Sequence, residues 1–491
     1  MSILGLIYWL SRLIAIVAIF HVVLDNRQPA KTMAWILVIY FLPLVGVIAY
    51  LFFGINTRKE RYVNRRQLDQ LNKRSMLGFV EQRDLQLPVE HQPVINLFLS
   101  ESFALPFNGN QVDILTDGYQ FFPSLLRDIG QARSHIHIDI YILADDSLGN
   151  LVADALIQKA RQGVEVRIIY DDVGCWQVKN RFFERLRLEG IEVVPFMPVR
   201  FPSFARRANY RNHRKIFVID GRIGYIGGMN IALRYVKGRE EKEEKREGRG
   251  KRGKRRVAWR DTMLRVEGRG VYSLQRAFLT DWYFVDRTQL SDRKYYPAPD
   301  AVAASDEGGG LLQTVTSAPV APYPEIMQGY VRIIMAARRY VYIETPYFLP
   351  TTAVIGALKT AAQSGVDVRV LIPLKSDARF TEWASRSYLR EAVDAGVKVS
   401  LYADGFLHSK LMVCDDSIAT CGSTNVDFRS FENNFEANMF VYDETLAQRM
   451  KAVFLADEQH AVPLTSQKHL MRPGFMPRLG ESLARLLSPL L

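Results

Sequence analysis

The chain begins with two long apolar stretches. Residues 3–24 are apolar apart from Arg12 and a few other polar residues, and residues 33–53 form an uninterrupted apolar stretch that contains Pro43. About 20 apolar residues are enough for a helix to cross the hydrocarbon core of a bilayer. We therefore predict a transmembrane helical hairpin over residues 1–57, although a cleaved signal peptide or a buried soluble hairpin would also account for the first stretch.

From about residue 106 the pattern changes to short apolar runs that alternate with amphipathic segments. The order strand, helix, strand, helix, strand is predicted at residues 136–143, 151–162, 164–170, 181–189 and 191–196. The second half repeats this order, since residues 155–167 align with 357–369 at an offset of 202, and the motif described below repeats at an offset of 195. A nearly constant offset indicates internal duplication. We predict an α/β fold made of two duplicated α/β sandwich halves.

These patterns divide the chain into six segments. They are a membrane hairpin, a basic entry segment, a first α/β half, a linker, a second α/β half and an amphipathic tail, over residues 1–57, 58–105, 106–288, 289–310, 311–460 and 461–491. Residues 237–256 interrupt the first half with eleven basic and five acidic residues and no apolar face, which predicts a disordered insertion. This insertion is either simply solvated or contacts a membrane or nucleic acid. The basic tail either lies on a bilayer or closes the core.

The charge of the chain narrows the class of partner. The net charge of +12 favours an anionic partner, which composition leaves as either nucleic acid or an anionic membrane. The segment after the second apolar stretch is more basic than the loop before it, so the positive-inside rule places both termini in the cytoplasm.

Three cysteines without a framework spacing indicate a reduced protein free of disulfides. No Cys/His cluster has metal-ligand spacing, and we expect no metal and no other cofactor.

A motif that occurs twice carries the candidate chemistry. It reads H-x-K, four residues, D, and then a glycine-rich turn with an asparagine, and its two copies comprise His213, Lys215, Asp220 and Asn230, and His408, Lys410, Asp415, Ser423 and Asn425. Two chance copies of the first part are expected with a probability of about 10⁻⁴, whereas a lone histidine would be interpreted as a core residue. Histidine and lysine two positions apart on a strand point to the same face, so each copy holds an imidazole beside an ammonium group. The two motif aspartates are out of phase with them, and we interpret these as fixing the turn after the strand.

With these motifs the chain resembles the bacterial cardiolipin synthases of the phospholipase D superfamily, from the N-terminal hairpin to the closing Ser-Pro-Leu-Leu. The resemblance implies two phospholipase D-like halves with the site at their interface, in a multi-pass enzyme of the inner membrane. It implies transfer of a phosphatidyl group between two phosphatidylglycerol molecules, through a phospho-histidine intermediate, to give cardiolipin and glycerol.

Two alternatives to this function stay open. One is hydrolysis by a phospholipase D or a nuclease of the same superfamily, with water as the acceptor, and the other is a basic membrane-bound scaffold for nucleic acid. The intact motifs argue against the scaffold, and the N-terminal hairpin argues against a nuclease because it tethers the site beside lipid. We therefore expect phosphatidylglycerol and anionic membrane lipid as partners, and no nucleic acid.

The resemblance also implies roles for single residues. His213 is expected to attack phosphorus, and His408 to act first as the acid and then as the base, without a metal. The non-bridging phosphate oxygens are expected to contact Lys215, Lys410, Asn230, Asn425 and Ser423.

The family also has carboxylates downstream of each motif, which orient the histidines. We expect Asp261 to orient His213 and Glu436 to orient His408. Tyr141 follows the leading strand of the first half and either lines the mouth of the site or packs in the core, and the same alternatives apply to Tyr347.

Overall fold

The structure is a computed structural model that describes residues 3–25, 29–54, 85, 87–199, 210–242, 254–297, 309–486 and 488. Its N-terminal module consists of α1 (Ile3–Asp25), α2 (Pro29–Phe41) and α3 (Pro43–Phe53). The apolar stretch 33–53 thus forms two helices instead of one, because Pro43 has no amide hydrogen to continue the helix. Helix α3 folds back on α2, and the rings of Trp35 and Tyr50 lie 5.5 Å apart. In the described part of the chain, no helix is both long and apolar enough to span a bilayer.

The first half alternates strands and helices in the predicted order. Its elements are α4 (Gln92–Ser102), β1 (Pro106–Leu115), α5 (Gly118–Gln131), β2 (His135–Ile140), α6 (Ser147–Arg161), β3 (Glu165–Asp171), α7 (Asn180–Leu188), β4 (Glu192–Phe196), β5 (Arg211–Asn212), β6 (Lys215–Ile219), β7 (Ile223–Gly227), α8 (Arg234–Lys237), β8 (Arg239–Lys242), β9 (Lys254–Val257), β10 (Trp259–Arg260), β11 (Met263–Glu267) and α9 (Val271–Asp286). The predicted strands and helices are confirmed, with bounds that differ by a few residues.

The second half follows the same plan. Its elements are β12 (Gly310–Ser317), α10 (Glu325–Ala336), β13 (Tyr340–Glu344), β14 (Phe348–Leu349), α11 (Thr352–Gln363), β15 (Asp367–Pro373), α12 (Arg379–Asp394), β16 (Lys398–Tyr402), β17 (Phe406–Leu407), β18 (Leu411–Cys414), β19 (Ile418–Gly422), β20 (Val426–Asp427), α13 (Phe428–Glu432), β21 (Asn434–Val441), α14 (Glu444–Glu458), β22 (Ala461–Pro463), α15 (Lys468–Met471) and α16 (Phe475–Leu486).

One sheet of 16 strands runs through both halves of the described chain. From its first edge to its centre the order is β4-β3-β2-β6-β7-β11-β1, and from the other side it is β16-β15-β13-β18-β19-β21-β12, with β22 outside β16. The two orders correspond strand for strand, which confirms the internal duplication. Strands β1 and β12 pair antiparallel at the centre. An apolar cluster shared by both halves, with Val218 and Leu264 from the first and Val413 and Met439 from the second, joins them into one core.

Two predicted segment boundaries differ from the structure. Helix α4, which we assigned to the entry segment, buries Ile95 and Phe98 in the core of the second half. Strand β22, which we assigned to the tail, pairs antiparallel with β16 and extends the sheet. In both cases a short apolar segment outside the repeated strand and helix order covers a surface that the repeated elements leave exposed. The repeat alone therefore could not reveal these two segments.

The predicted disorder of residues 237–256 is wrong at both ends of the insertion. Strands β8 and β9 pair antiparallel and form a two-stranded sheet of their own, with Arg239 directly opposite Val257. Main-chain hydrogen bonds hold this pair, so it needs no apolar face. The intervening residues 243–253 lie outside the described residues.

Deletion of residues 240–256 is expected to leave turnover in detergent within about twofold of the intact protein and the melting temperature nearly unchanged, because surface changes usually alter stability little. Arg239 and Val257 are direct partners in the ladder, so the chain can be rejoined between them with little movement. Enzyme assays and thermal melting check this, with a glycine-serine segment of equal length as the control. A collapse of activity with a normal melting curve would assign the insertion a role in turnover.

Candidate active site

Two short parallel bridges bring the motif histidines to the boundary between the halves. Strand β5 of the first half pairs with β21 of the second, and β10 of the first half pairs with β17 of the second. Next to these bridges, the amide of His213 donates to the carbonyl oxygen of Phe435 at 2.9 Å, and the amide of His408 donates to the carbonyl oxygen of Arg260 at 2.7 Å. Each motif histidine is therefore held by the backbone of the opposite half.

His213 faces the buried carboxylate of Glu436. Its Nδ1 lies 3.1 and 3.2 Å from the two carboxylate oxygens and 3.1 Å from the carbonyl oxygen of Ser423. Since these oxygens accept hydrogen bonds, Nδ1 carries the hydrogen and Nε2 of the neutral ring keeps its lone pair. Burial lowers the pKa of His213 to about 4. Burial alone would raise the pKa of Glu436, but His213 and Lys215 outweigh it and hold that pKa below its ordinary value.

His408 faces the buried carboxylate of Asp261, with Nδ1 2.6 Å from Oδ2. Burial lowers the pKa of His408 well below its ordinary value and raises the pKa of Asp261 to about 6. The rings of Trp259, Phe406 and Tyr235 surround the imidazole at centroid distances of 5.3, 5.9 and 6.1 Å. The environment of His408 is thus more apolar than that of His213, and its carboxylate is the shorter of the two.

The predicted pairing of carboxylates with histidines is wrong. We expected Asp261 to serve His213 and Glu436 to serve His408, in each case the carboxylate that follows in the same half. The structure pairs them across the halves, because the backbone bridges place each carboxylate one residue after the carbonyl group that holds the opposite histidine. Each half therefore supplies the histidine for one pair and the carboxylate for the other.

The two motif lysines lie fully buried beside the histidines. Nζ of Lys215 donates to the carbonyl oxygen of His213 and lies 5.2 Å from the ring centre of Tyr141, and Nζ of Lys410 lies 2.8 Å from Nδ1 of His408. Burial lowers the pKa of Lys215 to about 7 and that of Lys410 to about 8. Each ammonium group also lowers the pKa of both histidines. The four groups consequently form one electrostatically connected cluster.

The amide and hydroxyl groups of the two glycine-rich turns lie close to this cluster, but two of them already have protein partners. Oδ1 of Asn230 accepts from the amide of Ile142 at 3.0 Å, and its Nδ2 donates to the hydroxyl of Tyr235 at 2.8 Å. The hydroxyl of Ser423 donates to Glu436 and accepts from the amide of Ala437. In this arrangement Asn230 and Ser423 brace the site instead of pointing free donors towards a phosphate.

Asn425 and the motif aspartates occupy different positions. Asn425 is nearly buried and its amide interacts with Asp427. Asp220 accepts hydrogen bonds from three consecutive backbone amides, of residues 133–135, at 2.7 to 2.9 Å, and Asp415 does the same for residues 338–340 at 2.7 to 2.9 Å. Both aspartates have positive φ, 54° and 52°. They tie the turn after the motif strand to the start of the neighbouring strand, β2 or β13, and do not reach the histidines.

The sequence did not single out Arg214, the middle residue of the first H-x-K. Its Nε donates to the carbonyl oxygen of Glu436 at 3.0 Å, Nη2 donates to the carbonyl oxygen of Ser317 at 3.0 Å, and the guanidinium group pairs with Asp281. The signal in the sequence was the position of Arg214 between two motif residues and directly before an apolar strand. A cation buried at such a position must find partners. Arg214 fixes the backbone of the carboxylate that holds its neighbour His213.

Of the two tyrosines, Tyr141 lies directly at the site, with its ring 5.0 Å from the ring of His213. Tyr347 packs against the cluster that contains Tyr235, Trp259 and Phe406, and its hydroxyl donates to Asp377 at 2.8 Å. In the described residues no group of three or more histidine, cysteine or acidic side chains is arranged to hold a metal ion.

Comparison with known proteins shows the family that the chain is similar to. A family model described as cardiolipin synthase, PLD-like domain, matches residues 125–243 and 330–458, and one described as phospholipase D-nuclease N-terminal matches residues 13–54. The chain is 38% identical to a cardiolipin synthase of Oceanobacillus iheyensis over 99% of this chain and 98% of the relative. It is 37% identical to the major cardiolipin synthase ClsA of Bacillus subtilis, again over 99% and 98%.

Among solved structures, the chain resembles phosphatidylserine synthase of Haemophilus influenzae, with a TM-score of 0.60 at 14% identity, over 82% of this chain and 100% of the other. At that identity the likeness concerns the fold. It is consistent with two duplicated halves in one chain.

Proposed function

The chain belongs to the cardiolipin synthases of the phospholipase D-like family, and from this premise we propose that it transfers a phosphatidyl group from one phosphatidylglycerol molecule to the free hydroxyl group of another. It is a phosphatidyltransferase. The observation that carries the proposed mechanism is the pair of imidazoles at the boundary of the halves, each with Nδ1 on a buried carboxylate. With Nδ1 engaged in this way, Nε2 of each ring is the atom that can react.

In the first step, Nε2 of His213 attacks phosphorus and the bond from phosphorus to the glycerol head-group oxygen breaks. The negative charge of the bound phosphodiester raises the pKa of His408, and the protonated ring gives its proton to that oxygen, so that glycerol leaves. In the second step, the hydroxyl group of the acceptor phosphatidylglycerol loses its proton to His408 and attacks phosphorus, and the bond from phosphorus to nitrogen breaks. Cardiolipin leaves, and both histidines return to their starting protonation states.

The two motif lysines are the groups that we assign to the phosphate oxygens. The ammonium groups of Lys215 and Lys410 lie beside both histidines, so they can balance the charge of the phosphate and of the crowded transition state. Burial disfavours the protonated forms of both lysines when no anion is bound, and this lowers their pKa values to about 7 and about 8. A bound phosphodiester favours that form and raises both values.

The ratio kcat/KM for phosphatidylglycerol is expected to fall as the pH rises through about 7 to about 8, where Lys215 and Lys410 of the free enzyme lose their protons. The sign follows because the ammonium charge is present below each pKa and lost above it. The decline in kcat should lie at higher pH, since bound substrate raises both values. A pH–rate profile checks this, with Lys215→Arg as the variant that should move the alkaline limb upward. An alkaline limb that is identical in kcat and kcat/KM would contradict it.

We place the enzyme at the cytoplasmic membrane of a bacterium, with the N-terminal helices as its anchor and the catalytic halves in the cytoplasm. Support comes from the many large apolar side chains that α1, α2 and α3 leave exposed, among them Trp9, Phe20, Leu24 and Phe41. Such surfaces are stable only against lipid or a protein partner. The transmembrane hairpin predicted from the sequence remains part of this proposal.

Product analysis tests the proposed function. Pure protein with phosphatidylglycerol in detergent should give cardiolipin and glycerol in equal amounts. Phosphatidic acid and glycerol as the main products would show that water is the acceptor, and the chain would then be a hydrolase. With radiolabelled glycerol as a competing acceptor, the ratio of labelled phosphatidylglycerol to phosphatidic acid measures how well the site excludes water in favour of alcohols.

A further inference from the structure

Helices α12 and α16 present an apolar surface to solvent at their N-terminal ends. The two helices run side by side, with the ring of Trp383 against Gly480. The exposed side chains, between 42 and 79% accessible, are Phe380, Trp383, Phe475, Met476 and Leu479, and we call this set the apolar surface. A cluster of large exposed apolar side chains on a folded domain usually marks a surface that binds something.

The fold holds this surface in place. The inner side of α16 buries Ala484 and Glu481, and Glu481 forms an ion pair with Arg390 of α12. Arg485 lies over the ring of Tyr388, with its guanidinium carbon 4.1 Å from the ring centre. Helix α16 therefore closes the core with one face and still exposes apolar residues on the other, so both possibilities left open for the tail have support.

The first half presents an exposed tryptophan at the corresponding position. Trp176 is 79% accessible and follows β3, as Phe380 and Trp383 follow β15, the equivalent strand of the second half. Both loops adjoin the site. In the first half, Gly174 packs on the ring of Tyr141, which contacts His213.

In the second half, Asp377 accepts the hydrogen bond of Tyr347, which packs against the aromatic rings around His408. Trp176 thus follows two residues after a contact of Tyr141, and Phe380 follows three residues after a contact of Tyr347. The duplication of the fold accounts for this, since equivalent loops flank one shared site.

The charge around the apolar surface indicates what covers it. Exposed cations lie beside the start of α16, at Lys468, Arg472 and Arg478, whereas the carboxylates of Glu382 and Glu481 form ion pairs with arginines of α12. Aromatic and aliphatic side chains rimmed by cations are typical of surfaces that lie in the interface of an anionic bilayer.

We infer that the apolar surface and Trp176 dock the catalytic halves onto an anionic bilayer, so that the entrance of the site opens against the membrane that supplies both phosphatidylglycerol molecules. The inference rests on the proposed function for its substrate. The docking itself is a property of the surface and can be measured without turnover.

A fluorescent label placed at Leu479→Cys tests the docking directly. The three native cysteines are buried, so a thiol-reactive bimane goes to the new position. The full chain is placed in nanodiscs of phosphatidylcholine and phosphatidylglycerol, some of whose acyl chains carry a nitroxide. Quenching of about twofold or more is expected at position 479. The control is Leu188→Cys, another exposed leucine, 87% accessible, which lies at the C-terminal end of α7, whereas Trp176 precedes the N-terminal end of that helix.

Position 188 is expected to stay unquenched. Equal quenching at both positions, or none at position 479, would overturn the inference. The inference would also be overturned if a second copy of the chain covers position 479. This would be seen as self-association in detergent that Leu479→Asp abolishes, together with an absence of quenching.

A matched pair of activity assays separates this inference from the proposed function. Leu479→Asp should lower transfer from long-chain phosphatidylglycerol in vesicles about tenfold, because an acidic residue opposes contact with an anionic bilayer. It should leave transfer between short-chain phosphatidylglycerol molecules dispersed in solution unchanged, and Leu188→Asp should change neither. Failure of the intact enzyme with both substrates would contradict the proposed function, while equal losses with both substrates in Leu479→Asp alone would contradict the docking.

Discussion

Replacement of either His213 or His408 by alanine is expected to abolish phosphatidyl transfer, with a loss of about 10⁴-fold or more. His213→Ala removes the nitrogen that attacks phosphorus, and His408→Ala removes the group that protonates the leaving oxygen and later deprotonates the acceptor. Because the two rings act in one sequence of steps, the double variant should be hardly slower than either single variant. Steady-state assays of the three proteins with radiolabelled phosphatidylglycerol measure this.

Thermal melting is the control for these variants. The backbone amides of His213 and His408 hold the halves together and remain in an alanine variant, so the fold is expected to persist. Retention of more than a few per cent of the activity in either single variant would contradict the two-histidine mechanism. Losses that multiply in the double variant would indicate that the rings act in separate processes.

A donor whose leaving group needs no proton is expected to separate the roles of the two histidines. With a p-nitrophenyl ester of phosphatidic acid, His408→Ala should release about one equivalent of p-nitrophenol per enzyme and then stop, because the acid is no longer needed but the base of the second step is missing. His213→Ala should release none. Rapid mixing with absorbance detection measures the burst, and peptide mapping after a quench locates the phosphatidyl group on His213.

The pairing of each histidine with a carboxylate of the opposite half gives the second part of the same prediction. Glu436→Gln should behave like His213→Ala, with a loss of about 10³- to 10⁴-fold, because an amide can favour the wrong tautomer of His213. Asp261→Asn should behave like His408→Ala and keep its burst. If instead Asp261→Asn abolishes the burst and Glu436→Gln keeps it, the roles of the histidines are exchanged. A wild-type enzyme that turns over without any labelled histidine peptide would require direct displacement between the two lipids.

The duplicated fold could be predicted from the sequence because a repeat is visible as a constant offset and each strand has its own apolar run. The aspartates of the motif could also be interpreted, since their odd offset from the histidines puts them on the other side of the strand. The partner of each histidine could not be predicted. It depends on bridges of only two residues, β5 with β21 and β10 with β17, which have no periodicity of their own.

The orientation of individual polar side chains could not be predicted from the sequence either. Asn230 and Asn425 both follow a glycine-rich turn, but the amide group of Asn230 bonds to Ile142 and Tyr235, whereas that of Asn425 interacts with Asp427. The helix that supplies Tyr235, α8, has only four residues, Arg234–Lys237. Arg214 was missed for a related reason, since the partners of its guanidinium group come from segments far away in the chain.

The exchange of carboxylates between the halves also determines when the enzyme first becomes active during its synthesis. As the ribosome releases the chain from its N-terminus, the first half emerges with His213 and Lys215, but Glu436 follows more than two hundred residues later. Until strand β21 has joined the sheet, His213 lacks the group that selects its reactive tautomer. Under the proposed mechanism, the chemistry therefore begins only once the second half has folded.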